Sequence, residues 1–469
     1  MIKKAVIVGG GTSGWMTAAC LKHTIPSLEV VLVDKEVSTP VSVGEATLLN
    51  FNEFMEISCG FPRHEWVREL DAVPKAGILF PAWGGEDIWH PFTFPYANED
   101  TPLIDAWSRS IKKLRYLLPH DPLVDGHIVD MHDIQSYAYH IDCAKLVTYI
   151  QSKLGDRVET INKEVLFAKR DSSNNITELM FNDYSDIDGD VFFDCTGFKQ
   201  VLKNDSDPIK LLGRLFCDTA IAGHVDYVDD LHEKTPYVSC PTAEHGWIWK
   251  IPLQSRIGTG LVFNRSITDI ETAKEYFKNY WNGRVKEDSI KVIDWTPYYD
   301  KKMWSANVIS IGLSAGFIEP LESTGIAMIT EAITKSISII SSRYFNEHDA
   351  NLFNSYMVSM FEDSVDFVSM HYDNSIIESE FWKFVRNTYQ QSERQKIYID
   401  NMKSTDRSLV EGKPSMFGGS NWIYWMAQLG LSFNEKTYIT REYANDLVNN
   451  YLTFKDSLPK DNLRPSEFI

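Results

Sequence analysis

Ala5-Val6-Ile7-Val8-Gly9-Gly10-Gly11-Thr12-Ser13-Gly14-Trp15-Met16-Thr17-Ala18-Ala19-Cys20-Leu21 reads as strand, glycine turn and helix. The run of β-formers at 5–8 empties into Gly9, Gly11 and Gly14, which satisfy G-x-G-x-x-G, with Thr12 and Ser13 completing the turn. In that pattern the first glycine makes a tight turn, the second lets backbone approach a pyrophosphate, and the third lets helix pack on strand. The helix N-terminus then offers free N–H groups and a positive dipole end to the phosphates. Val30-Val31-Leu32-Val33 forms a second strand and ends at Asp34, twenty residues beyond Gly14, where a carboxylate suits a ribose hydroxyl; Lys35 stands beside it. A dinucleotide site follows. The fingerprint alone separates neither NAD from FAD nor a catalyst from a sensor.

A chain of 469 residues, 43% hydrophobic and 24% charged, has room for two or three lobes and the composition of a soluble protein. Forty-six Lys and Arg against 65 Asp and Glu give a net charge of −19. Such a surface repels phosphate backbones and anionic lipid, so neither nucleic acid nor membrane is expected as a partner. A halide or carboxylate can still be held locally. The six cysteines, Cys20, Cys59, Cys143, Cys195, Cys217 and Cys240, contain no C-x-x-C pair. They read as reduced thiols of a cytoplasmic protein, with no metal site. Neither a signal peptide nor a membrane span is expected.

After the opening comes Ser42-Val43-Gly44-Glu45-Ala46-Thr47, a turn into a helix over 48–58. Gly44, Glu45 and Ala46 suit the ribityl or flavin part of a cofactor, or equally a helix cap. Residues 75–80 form an extended run. The aromatic section with Trp83, Trp89, His90, Phe92, Phe94 and Tyr96 suggests a strand with one aromatic face. Helices are expected over 104–118 and 141–154, and strands over 158–169, where Val165 is a candidate cofactor contact, and over 177–181. A further strand ends in Asp194-Cys195-Thr196-Gly197, which suits backbone returning to the dinucleotide site, or a plain strand-end turn.

The middle third is strand-rich, over 237–240, 246–253 and 257–263, with a helix near 271–281. Another buried strand ends in Gly312-Leu313-Ser314, and from Ile326 the pattern is largely helical. The order fits an α/β protein: a Rossmann-like, flavin monooxygenase-type FAD lobe over 1–345, discontinuous and interleaved with substrate-side segments near 75–135 and 215–305. A mostly helical substrate lobe follows over 346–469.

Gly246-Trp247-Ile248-Trp249-Lys250-Ile251-Pro252 puts two tryptophans on one face of a strand, since side chains repeat with period two. With Lys75-Ala76-Gly77-Ile78 and Pro320-Leu321-Glu322-Ser323-Thr324-Gly325-Ile326, this stretch resembles the flavin-dependent halogenases, in their tryptophan-halogenase branch. W-x-W-x-I-P is the distinguishing motif. The resemblance runs to about Tyr372 and includes Tyr139-His140-Ile141-Asp142 and Asp366-Phe367 with His371-Tyr372.

The resemblance implies an enzyme in which reduced FAD, oxygen and halide make hypohalous acid. The acid then travels through a tunnel to an electron-rich aromatic such as an indole or phenol. Trp247, Trp249 and Pro252 would line the tunnel and separate flavin from substrate. Thr324 and Gly325 would hold halide at a helix start, with Ile326 beside the flavin. Lys75 would handle the oxidant, as an ammonium or as a haloamine, and Glu322 would orient the lysine and take up the ring proton. His90 and Phe92 would sandwich the substrate. His140 and Asp142 would serve structure, as a cap for the following helix.

Leu313 stands where many flavoproteins carry an acid against the ribityl chain, so loosely held FAD is expected. Gly258-Thr259-Gly260 lacks a third glycine, which leaves no second fingerprint for NAD(P)H and implies a separate flavin reductase. Oligomeric state is left open. An aromatic hydroxylase and a non-catalytic flavin-binding regulator are the alternative functions.

Overall fold

The computed structural model describes residues 2–35, 44–85, 87–92, 137–342, 344–374, 376–403 and 413–428, with isolated positions at 442, 445, 446, 449 and 453. The expected helix over 104–118, and Phe94 and Tyr96, lie outside the described residues.

The opening strand Lys4–Val8 lies inside a six-stranded sheet. It pairs in parallel with Glu29–Asp34 on one side and Val191–Asp194 on the other, in the register Val8↔Val33 and Val8↔Asp194. Glu159–Asn162 and Val308–Ser310 extend the sheet outward. Its central strands are near-continuous apolar runs because both faces are covered. The helix Thr12–Thr24 covers one face, together with Cys143–Leu154 and Thr324–Ile340. On the other face Val6, Val8, Val31, Val33 and Phe192 join Leu179 and Phe181 of a small antiparallel sheet.

Two expected strands prove to be pairs. The run over 158–169 breaks at the polar Lys163-Glu164. Glu159–Asn162 stays on the parallel sheet, whereas Val165–Arg170 pairs with Ile176–Phe181 in the small one. The run over 75–80 breaks at Ala76, whose N–H bonds the carbonyl of Pro236. Val73–Lys75 joins a three-stranded sheet with Ala138–Ile141 and Glu45–Ala46, while Gly77–Phe80 joins an eight-stranded sheet. Lys75 therefore sits at a seam between two sheets.

In the aromatic section, strand is limited to Ile88–Pro91, because Gly84 at φ 68 turns the chain at Trp83–Gly85. The helix expected over 48–58 is Asn50–Glu53 continuing as a π-turn, Phe54–Ser58. The helix expected over 141–154 begins at Cys143, because Asp142 accepts from the N–H groups of Ala144 and Lys145 as an N-cap. In the eight-stranded sheet, Gly246–Pro252 pairs antiparallel with Ile257–Phe263, with Trp247 opposite Val262 and Trp249 opposite Gly260.

The helices Glu347–Met370, Glu380–Thr388, Glu393–Lys403 and Gly419–Gln428 follow. A single apolar cluster joins Ala5 of the parallel sheet to Trp425 of the last of these. No helix of the described residues is long and apolar enough to cross a membrane.

Candidate active site

The glycine turn is pinned by close backbone approach. A Cβ on Gly9, at φ +109, would lie 2.3 Å from the carbonyl oxygen of Cys195, and one on Gly14 would lie 1.9 Å from that of Gly9. Gly10, an x position of the motif, is confined too: its Cβ would come within 2.4 Å of Asp34 Oδ2. That oxygen is buried and has no partner among the described residues. An orphaned carboxylate oxygen beside a glycine turn at a helix N-terminus is what a ribose hydroxyl and pyrophosphate require, so the residues fit a dinucleotide such as FAD.

Around this turn, Gly11 caps the helix that starts at Thr12, Lys35 pairs with Glu164 at 3.5 Å, and Gly44 takes φ +83. Glu45 is half-buried, and desolvation with the charge of Asp142 pushes its carboxyl up to about 7. Asp194 has both oxygens occupied: Oδ1 accepts from Thr196 N at 3.0 Å and Ser314 Oγ at 3.1 Å, and Oδ2 from Leu202 N at 2.8 Å. It holds its loop, so what it leaves for a ligand is the backbone through Gly197, at φ +67. Leu313, which is 40% exposed, lies 3.9 Å from where a Gly197 Cβ would be. Val165 packs on the apolar face behind the parallel sheet.

Lys75 is fully buried. Its Nζ donates to the Thr47 carbonyl at 3.0 Å and to Ser323 Oγ at 2.9 Å, and stands 4.7 Å from the centre of the Phe92 ring. Desolvation brings the ammonium down to about 7, against the opposing pull of Glu322 and Cys240. Lysine and glutamate, expected to hold one another, each bind other groups.

Glu322, 1% exposed, accepts from His90 Nδ1 at 2.9 Å, from His371 Nε2 at 2.6 Å and from Trp425 Nε1 at 3.3 Å. Burial alone would raise its carboxyl, but His90 and His371 outweigh burial and hold it well below the usual range. The second ring nitrogen of His371 lies 2.9 Å from the Phe367 carbonyl, which can only accept, so Nδ1 carries a proton. A second proton must then lie between Nε2 and Glu322.

Two consecutive left-handed residues create this arrangement: Glu322 at φ +65 and Ser323 at φ +59. Such conformations cost about 1–3 kcal/mol each and persist where the surroundings over-determine them. Here they turn the Glu322 carboxylate into the histidine cluster and the Ser323 hydroxyl to Lys75, so Ser323 makes no side-chain cap on the helix Thr324–Ile340. Thr324 Oγ1 is buried without a partner among the described residues, and a Cβ on Gly325 would meet open space. Ile326 is buried in the first turn.

Trp247 and Trp249 are both buried with ring centres 6.4 Å apart, and Trp249 lies flat over Gly260, whose Cβ would fall 2.1 Å from the indole. The Pro252 carbonyl meets His140 Nδ1 at 2.9 Å, tying the tryptophan strand to the strand that pairs with Val73–Lys75. Burial, helped by the Lys75 charge, pushes His140 down to about 3, so it is neutral. His90 and Phe92 part company: His90 also contacts Asn421 Oδ1 at 2.9 Å within the Glu322 cluster, whereas Phe92 lies against the lysine.

His371, Trp425, Asn421, Ser323 and the Thr47 carbonyl escaped the sequence reading. His371 and Ser323 lie inside the resembling stretches, but nothing in spacing marks their partners. Asn421 and Trp425 come from the last described helix, where motifs are absent.

A parallel sheet with a dinucleotide turn is joined to further sheets at whose seam a lysine is buried near a histidine-bound glutamate, an arrangement that suits an enzyme with a nucleotide cofactor. The tryptophan halogenase family model matches residues 4–444, and the chain belongs to that family. Tryptophan 7-halogenase RebH of Lentzea aerocolonigenes is 28% identical over 417 residues, which cover 81% of this chain and 78% of that protein. Tryptophan 6-halogenase SttH of Streptomyces toxytricini is 30% identical over 419 residues, covering 81% and 80%. The crystal structure of SttH superposes with a TM-score of 0.87 at 26% identity, covering 99% of each chain. A flavin-dependent halogenase from Xanthomonas campestris shares the fold, with a TM-score of 0.88 at 23% identity over 100% of this chain and 98% of that one.

Proposed function

We propose that this enzyme uses reduced FAD, oxygen and halide to make hypohalous acid, which reaches Lys75 and halogenates an electron-rich aromatic of the indole or phenol type. Bound reduced FAD supplies, with oxygen, the oxidising equivalent. Residues 9–14 and Asp34 would hold its pyrophosphate and ribose, with Gly44, Glu45, Ala46 and the 195–197 backbone along the rest. A separate flavin reductase in the cytoplasm would supply it.

Thr324 and Gly325 would present helix N–H groups to halide, a contribution of about 0.3–1 kcal/mol at most exposed termini, so halide binding is weak. Trp247, Trp249 and Pro252 would keep substrate from the flavin.

The observation that carries the reading is the buried Lys75, poised near neutrality beside Glu322. Thr47 and Ser323 take two of its hydrogens in either protonation state. The ammonium then keeps a third N–H to polarise hypohalous acid, and the amine keeps its lone pair to form a haloamine with loss of water. Glu322 Oε2, which among the described residues meets only His90 Nδ1 at 3.0 Å, is the less occupied oxygen for the proton released as aromaticity returns.

The test supplies reduced FAD, oxygen and bromide or chloride to a panel of indoles and phenols, with mass spectrometry. Halogenated product is expected, and Lys75→Ala should abolish it while flavin oxidation continues. Oxygenated product alone would make the enzyme a hydroxylase. Normal halogenation by the variant would refute the assigned lysine.

A further inference from the structure

Glu319 is fully buried, and the chemistry above leaves it without a role. Its Oε1 accepts from Tyr372 Oη at 2.8 Å, and its Oε2 has no partner among the described residues. Chemistry sets the direction of this contact. An indole N–H can only donate, so in the 2.9 Å contact between Trp247 Nε1 and Tyr372 Oη the phenol accepts. The phenol's own hydrogen is then available to Glu319. A one-way chain runs from Trp247 through Tyr372 to a carboxyl, with Cys217 Sγ 3.7 Å from the phenol oxygen.

Among the described residues, the titratable groups that interact with Glu319 are Tyr372, Cys217 and Cys240. Burial pushes all three well up, so they are neutral. Lys75 and Glu322 also act on Cys240, with opposite signs. Among the described residues no cation bonds Glu319, and a buried carboxylate in that position is costly, whereas an acid merely places its hydrogen on the unpartnered Oε2. Desolvation accordingly pushes Glu319 up to about 8.

We propose that Glu319 works as a neutral carboxylic acid which, through Tyr372, holds the Trp247 ring, making Glu319 and Tyr372 positioning residues for the tryptophan wall. This rests on the reading of Trp247 as the partition between flavin and substrate. Ionised Glu319 would place an uncompensated negative charge immediately before the 320–325 turn that halide is proposed to use. Halide affinity should therefore fall as Glu319 loses its proton.

The experiment compares wild type, Glu319→Gln, Glu319→Ala and Tyr372→Phe. It measures bromide-dependent halogenation of an aromatic from the panel at pH values on both sides of about 8, with infrared spectra of each protein. Glu319→Ala and Tyr372→Phe should lower kcat roughly tenfold at neutral pH, the equivalent of one buried hydrogen bond. Glu319→Gln, whose amide oxygen still accepts from Tyr372, should restore most of the loss. The bromide KM of wild type should rise above about pH 8, and that of Glu319→Gln should not. The infrared spectrum should contain a protonated carboxyl C=O stretch that disappears with rising pH and is missing in Glu319→Gln.

Glu319→Gln as impaired as Glu319→Ala while folded by circular dichroism would overturn the proposal. So would a bromide KM rising alike in both proteins, or absence of the infrared band. If wild type halogenates nothing in the panel, the halogenation chemistry falls, while the infrared band still decides the state of Glu319.

Discussion

Lys75→Met should make the protein more stable while removing its activity. Burial brings the Lys75 ammonium from its ordinary 10.5 down to about 7, roughly three and a half pH units. At about 1.4 kcal/mol per unit, holding the charged form in the folded site costs on the order of 5 kcal/mol. An unfolded lysine keeps its proton up to 10.5, whereas the folded one releases it near 7. Between those values the unfolded chain binds more protons, so wild-type stability rises with pH, and the full cost is present only below about 7.

Methionine fills the same volume without the charge and forfeits two hydrogen bonds, to Thr47 and Ser323, worth roughly 1 kcal/mol each. The variant should therefore gain about 3 kcal/mol at and below neutral pH, lose that gain by about pH 9, and be about 2 kcal/mol less stable than wild type near 10.5, where only the two lost hydrogen bonds remain in the difference. Urea unfolding midpoints of both proteins across this range give the comparison. A difference that stays constant with pH, or a variant less stable at pH 7, would refute the account of Lys75 as a charge held against its solvation. Stability surrendered at Lys75 is the expected cost of the role proposed for it.

Other substitutions test other parts of the site. Gly14→Ala forces a Cβ to within 1.9 Å of the Gly9 carbonyl, so it should abolish flavin binding, measured by fluorescence quenching, and lower the unfolding midpoint. Asp34→Ala should weaken flavin binding with little effect on that midpoint, because the Oδ2 it removes has no protein partner among the described residues. His371→Leu takes a 2.6 Å bond from buried Glu322 and should destabilise by about 3–5 kcal/mol at neutral pH. Since the folded Glu322 carboxyl is held low, the contribution it loses is present above the ordinary glutamate value of 4.5 and disappears in wild type as pH falls below it. A wild-type to His371→Leu difference that persists undiminished into acid would count against the pairing. Gly260→Val should displace Trp249 from its seat, costing about 1–3 kcal/mol in the same unfolding assay.

The parallel sheet could be read from local pattern because its signals are local. Gly9, Gly11 and Gly14 answer to one turn, and the apolar runs at 5–8 and 30–33 answer to a sheet covered on both faces. The tryptophan pair was legible for the same reason, since a period of two is set by one strand. The motif around Lys75 marked the lysine, but its split between two sheets was hidden: the break at Ala76 depends on the Pro236 carbonyl, a partner distant in sequence. Asp194 illustrates the opposite case. Its strand-end position suits backbone returning to the cofactor, and four backbone and hydroxyl donors from its own loop and from Ser314 occupy its side-chain oxygens.

By itself the sequence determined the dinucleotide turn, the strand that carries Trp247 and Trp249, and membership in the tryptophan halogenase family, with Lys75 and Glu322 marked by the motifs around them. Only the tertiary structure decided how those two charges are held. Glu322 meets His90 from a sheet strand, His371 from the end of a long helix and Trp425 from a helix later still, while Lys75 meets Thr47 and Ser323. Spacing records neighbours along the chain. A buried charge is settled by whichever polar groups packing brings within about 3 Å of it, and these arrive from segments that no local pattern links.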